Sequence, residues 1–226
     1  MLRERLLQVE DRILKACARA GRKREEITLV AVTKVFPVET IREAYMLGLR
    51  NFGENYVQEF EQKEPLLTSL QHARFHLIGH LQSNKARIAA DLFQVIETMD
   101  SPKLVRRLNE ALVGKSMNVM MDVMIEVKLS HEESKYGAPP QDIGKLAEEI
   151  SGCSHLKLTG LMTMPPWNDD SQQTRPYFRR LAVLAAEHKV KHLSMGMSHD
   201  FETAIEEGAT HIRVGRALFG ERKPKP

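Results

Sequence analysis

Short strand-like runs, the first of them apolar and β-branched, recur along this chain, each separated from the next by a segment with helical spacing. Strand-like runs fall at Ile27 to Val35, Asn51 to Gly53, Phe75 to Ile78 and Phe93 to Thr98. Four more follow at Val119 to Val127, Leu156 to Met162, His192 to Met195 and His211 to Val214. Between them lie helical segments at Pro37 to Leu47, from about Tyr56, and at Ser83 to Asp91, Pro102 to Val113, Pro140 to Ile150, Gln172 to His188 and Ser198 to Glu207, with a last turn near Ala217. Ahead of the first strand, Leu2, Leu6, Val9, Ile13, Ala16 and Ala20 make an amphipathic stripe that stops at Gly21. Eight strands alternating with helices, with no long linker, predict an α/β fold of one kind: a (β/α)8 TIM barrel with an extra N-terminal helix. A doubly wound open sheet is the alternative, and the count of eight favours the barrel.

The length of 226 residues suits one such barrel, so a single domain over 1–226 is expected. A hydrophobic fraction of 42% is ample for a core, and a net charge of +3 is too small to indicate a nucleic-acid binder. Cys17 and Cys153 cannot form a disulfide framework and read as thiols of a reducing compartment. Charges at Arg3, Glu4, Arg5, Glu10, Asp11 and Arg12 leave no room for an apolar signal core, and no run reaches a membrane span. A cytoplasmic location is therefore expected.

In a barrel of this type chemistry gathers at the C-terminal ends of the strands. Those ends carry Lys34, then Gly53-Glu54-Asn55, Gly79-His80, Thr163, Ser194 to Ser198 and Arg213 to Arg216. Lys34 lies inside an apolar run, AVTKVF, where burial disfavours the ammonium and leaves the neutral amine that attacks carbonyls. The plainer alternative is a lysine reaching water or pairing with Glu54. The seventh and eighth strand ends, SMGMSHD and RVGRALFG, set serines and glycines before helix starts, with Ser198 the expected N-cap. Exposed N–H groups there suit a phosphate, and barrels commonly place one in these two loops. A phosphate-bearing aldehyde satisfies both halves, and pyridoxal 5′-phosphate (PLP) is the natural candidate.

The segments AVTKVFP, NFGENYVQE, FHLIGHLQSNK, SKYG, GLMTMPP, LSMGMSHDFETAI and RVGRALFG span Ala31 to Gly220. In this order they closely resemble the pyridoxal phosphate homeostasis protein family, single-domain relatives of the barrel domain of alanine racemase. The resemblance implies that Lys34 carries PLP as an internal aldimine. It implies that Asn55 lies near the cofactor, that Ser194, Ser198, Gly215 and Arg216 surround its phosphate, and that Arg213 faces the pyridine nitrogen. Arg216 stands where many relatives have a small hydroxyl residue, which leaves its backbone N–H to serve. A guanidinium, permanently charged and donor-only, favours an unprotonated ring nitrogen and a weak electron sink. Racemase relatives draw a second base from an additional domain and a partner subunit, whereas six residues follow Gly220 here. The family resemblance therefore implies a non-catalytic carrier or regulator of PLP, with PLP-dependent enzymes as recipients and no nucleic-acid or membrane partner. A monomer is expected. A PLP-dependent amino-acid racemase and a Schiff-base aldolase without PLP are the rival readings.

Other motifs carry less. His76 and His80 are four apart, but on a strand pattern, which does not face both at one metal. Gly114-Lys115-Ser116 imitates the end of a P-loop, yet Asn109 stands where its first glycine is needed. Arg175, Arg179 and Arg180 read as a solvated helix face, and Met117, Met120, Met121 and Met124 as strand and core packing. The polar loop SHEESKYG reads as a solvent-exposed lid.

Overall fold

The computed structural model describes residues 1–113, 120–130, 132 and 136–221. Eight parallel strands close into a barrel in chain order: β1 (Thr28–Val32), β2 (Asn51–Glu54), β3 (Arg74–Leu77), β4 (Val95–Met99), β5 (Met121–Glu126), β6 (Leu156–Met162), β7 (His192–Met197) and β8 (His211–Val214). Closure is direct, because β1 pairs with β8 as well as with β2. The helices that follow each strand form the outer ring: α2 (Val38–Met46), α3 (Val57–Lys63), α4 (Ala86–Leu92), α5 (Pro102–Val113), α6 (Ile143–Ser151), α7 (Arg175–Glu187), α8 (Phe201–Glu206) and α9 (Arg216–Phe219). The expected TIM barrel is the fold observed. Among the described residues no helix is long and apolar enough to cross a membrane.

The extra helix α1 (Leu2–Arg19) lies against α8 and α9. It buries Leu2, Val9, Ile13, Ala16 and Cys17, most of the apolar stripe expected from spacing alone. Its polar edge is tied down by Arg12, which forks onto Glu202 at 2.6 and 2.9 Å and covers the Phe201 ring. The arginines of α7 are not merely solvated: Arg175 bridges to Glu206 and Glu207, and Arg179 to Glu207.

Several boundaries differ from the sequence reading. The segments expected as continuous helices from Pro140, Ser83 and Gln172 each open with a 3-10 turn before the α-helix proper. Strand β7 runs two residues beyond the expected Met195, because Gly196 at φ +88° makes a bulge inside the strand. A side chain there would also stand 2.5 Å from Ala204 Cβ. Residue 119, the Gly114-Lys115-Ser116 motif, Met117, and Ser134 and Lys135 of the SKYG segment lie outside the described residues. Met121 and Met124 are core, whereas Met120 is exposed.

Candidate functional site

Register brings the strand ends named above onto one rim. Val32 pairs with Gly53, so Lys34 and Asn55 leave their strands side by side. On the other flank Ala31 pairs with Val214, and Gly215 packs against Val32. Strand β1 stops at Val32, three residues short of the run expected from composition. The Phe36 N–H then donates to the Thr33 carbonyl at 3.1 Å, closing a four-residue turn with Lys34 in its second position. Val35, in the third, has φ +63°. Lys34 is half-buried at this turn. The ion pair of Glu54 is made with Lys63 of α3, at 3.1 Å.

On the neighbouring rim the hydroxyl of Ser198 accepts from the N–H groups of Gly215 and Ala217, each at 3.2 Å. This corrects the expectation that Ser198 caps α8. The helix starts later, at Phe201, with Asp200 at its N-cap, and the Asp200 carboxylate accepts the Met197 N–H at 2.7 Å. Ser198 instead ties the β7 loop to the first turn of α9. The Arg216 side chain is exposed at that turn and points away from the core.

Asn55 supplies a further polar atom at the mouth: its buried Oδ1 has no hydrogen-bond partner among the described residues. A buried acceptor left without a donor is unfavourable by about 1–3 kcal/mol, so the site is built to receive one. Close approach of β2 and the β3 loop sets the position of Asn55. A Cβ on Gly79 would stand 2.3 Å from the Asn55 carbonyl oxygen and 2.8 Å from its Cα. Gly79→Ala is therefore expected to force the β2 end outward and destabilise the chain by about 1–3 kcal/mol in urea melts. An unchanged midpoint would show that this contact relaxes freely.

Inside the barrel below the rim, polar side chains replace the usual branched apolar layers. Arg213 is buried, donating from Nη1 to Ser194 Oγ at 2.6 Å and from Nη2 to the Thr163 carbonyl at 2.8 Å. Ser194 donates in turn to Glu97 Oε2, whose other oxygen lies 2.7 Å from His76 Nδ1. His76 Nε2 meets Asn51 Oδ1 at 3.1 Å. Ser194 is thus a bridge between Glu97 and Arg213 in the interior, one layer beneath Ser198. Burial would raise the Glu97 carboxyl, but the hydrogen bond and charge of His76, with Arg213 and His211, hold it down to about 2. Burial pulls Arg213 below its usual range, opposed by Glu97, Glu126 and Asp200. Glu97, Glu126 and Asp200 were not legible as site residues. They lie on three different strands or loops, and only closure of the barrel brings their charges to bear on Arg213.

Residues 8–223 match the family described as alanine racemase, N-terminal domain. The pyridoxal phosphate homeostasis protein of Aquifex aeolicus is 43% identical over 226 residues, 97% of this chain and 98% of its own. The chain belongs to the pyridoxal phosphate homeostasis protein family. Among solved structures, PipY of Synechococcus elongatus, solved with PLP bound, is 35% identical and superposes with a TM-score of 0.84 over 97% of this chain and all of its own. The alanine racemase of Bacillus anthracis, 15% identical with a TM-score of 0.68, shares the fold over 56% of its length.

Proposed function

We propose that this chain binds PLP at the C-terminal mouth of the barrel and takes part in PLP homeostasis, holding the cofactor through Lys34 without efficient catalysis. The observation that carries this reading is the rim itself. A lysine in a tight turn, an orphaned acceptor on Asn55 and the paired N–H groups of Gly215 and Ala217 share one edge. Those residues fit the group: two N–H donors already aimed at one oxygen suit a phosphate, and Asn55 Oδ1 suits a donor on the ligand. When bound, PLP supplies an aldehyde that condenses reversibly with primary amines. Lys34 offers such an amine, with Ser198, Gly215 and the Arg216 N–H around the phosphate. Ser194 acts from below by orienting Arg213.

Arg213 supports the restraint on catalysis. A buried guanidinium has only donors, so it accepts no proton from a ring nitrogen and disfavours a protonated one beside it. That weakens the ring as an electron sink. The free thiols of Cys17 and Cys153 suit a reducing cytoplasm, and PLP-dependent enzymes are the fitting recipients.

The test is intact mass after borohydride reduction of the PLP-loaded protein, followed by peptide mapping. One pyridoxyl group on Lys34 is expected, and none in Lys34→Ala. Modification elsewhere, or none in the wild type, would refute the site. Incubation with single L-amino acids and chiral chromatography tests the restraint. Accumulation of the D-isomer at enzymatic rates would overturn the carrier reading in favour of a racemase.

A further inference from the structure

The turn that presents Lys34 is held in a conformation its own residues disfavour. Val35 is β-branched, yet it occupies the left-handed region at φ +63°. Such a residue persists only where its surroundings over-determine it. Here the Val35 N–H donates to Glu59 Oε1 at 2.6 Å. The same oxygen lies 2.7 Å from the Lys63 ammonium. Lys63 is 8% exposed and also donates to Glu54 Oε1 at 3.1 Å and to the Thr33 carbonyl at 3.2 Å. Glu54 in turn accepts from the Thr33 hydroxyl at 2.8 Å, and the Thr33 N–H is bound to the Gly53 carbonyl at 2.9 Å. An ammonium has three donors, and this one has three partners to match. Both neighbours of Lys34 in the chain are therefore fastened to a single buried cation on α3.

We propose that Glu59 and Lys63 are positioning residues for Lys34: through Glu54, Thr33 and the Val35 N–H they hold its turn so that the amine meets the aldehyde carbon of PLP. The inference rests on the reading of Lys34 given above. It differs from a purely structural ion cluster in what it affects. A fold-stabilising cluster supports every ligand of the mouth alike, whereas a clamp on the Lys34 turn matters only to a ligand that bonds the amine. Glu59 is the informative position, because its side chain is one-quarter exposed and its loss leaves the Lys63–Glu54 pair in place.

The experiment compares dissociation constants of the full-length apo-protein for PLP and for pyridoxine 5′-phosphate, which carries an alcohol in place of the aldehyde. Glu59→Ala is expected to weaken PLP about ten- to a hundredfold, as for loss of a hydrogen bond to a charged acceptor, and to leave the alcohol within about twofold. Glu59→Gln, which keeps an acceptor for the Val35 N–H, is expected to recover most of the difference. Equal loss for both ligands, or unchanged PLP affinity in Glu59→Ala, would overturn the proposal. If the wild type and Lys34→Ala bind PLP alike, the Lys34 reading itself fails and takes this inference with it.

Discussion

Replacing Glu97 with alanine is expected to lower stability by about 3–5 kcal/mol, the usual result of removing one partner from a buried charge pair. Glu97 is inaccessible to solvent and joins Ser194 to His76 in the barrel interior. Its loss leaves the Arg213 guanidinium buried, with the Ser194 hydroxyl robbed of its acceptor and the nearby negative charge reduced to Glu126 and Asp200. For a chain of this size each kcal/mol moves the melting temperature by about 2–4 °C, so a fall on the order of 10 °C is expected. Glu97→Gln keeps the volume and one acceptor and should lose less, about 1–3 kcal/mol. The double replacement Glu97→Met with Arg213→Met should recover part of the deficit, because no isolated charge then remains. Guanidinium melts of the four proteins provide the check. A loss below about 1 kcal/mol in Glu97→Ala would mean that the interior admits water to solvate Arg213.

The same interior explains which parts of the molecule could be read from sequence. The barrel was legible because strands such as β1 and β4 are short apolar runs and the longer helices, as in α1 and α5, carry a stripe of period 3.6; β2, Asn51-Phe52-Gly53-Glu54, was placed by the alternation alone. The rim was legible in part: Lys34, Asn55, Ser198 and Gly215 stand at strand ends, where fold geometry alone makes them candidates. The end of β1 was not. ITLVAVTKV continues as a strand by every local preference, and the chain turns at Lys34 and Val35 because Glu59 and Lys63, more than twenty residues away, hold it there. Glu54 illustrates the same limit: it forms an ion pair with Lys63 of α3, a helix residue that no sequence signal singled out. Ser194 and Ser198 look equivalent in SMGMS. The bulge at Gly196 separates them, sending one hydroxyl to Arg213 and the other to the α9 turn.

Acid is expected to weaken the barrel in two successive pH windows. His211 begins β8 near the barrel floor, with the His192 and His76 rings 5.1 and 6.2 Å away. Burial pushes its pKa down to about 4; Glu97 opposes this, and the neighbouring histidines and Arg74 add to it. Above pH 6.5 the ring is neutral in both folded and unfolded chains and imposes no penalty. As pH falls from about 6.5 towards 4 the unfolded chain takes up a proton that the folded one refuses, so stability drops by up to about 3 kcal/mol. His192, also lowered by burial, acts with the same sign. Glu97 contributes in the next window. Its folded pKa of about 2 lies below the ordinary 4.5, so its stabilisation is complete above pH 4.5 and lost as pH falls towards 2. Urea melts at pH 7, 5.5 and 4 should therefore show a declining midpoint, and His211→Gln, which cannot take the proton, should flatten most of it. The decline below pH 4.5 should persist in that variant, since Glu97 still titrates. If His211→Gln retains the full slope between pH 6.5 and 4, the floor of the barrel tolerates a charged imidazole and the acid sensitivity originates elsewhere.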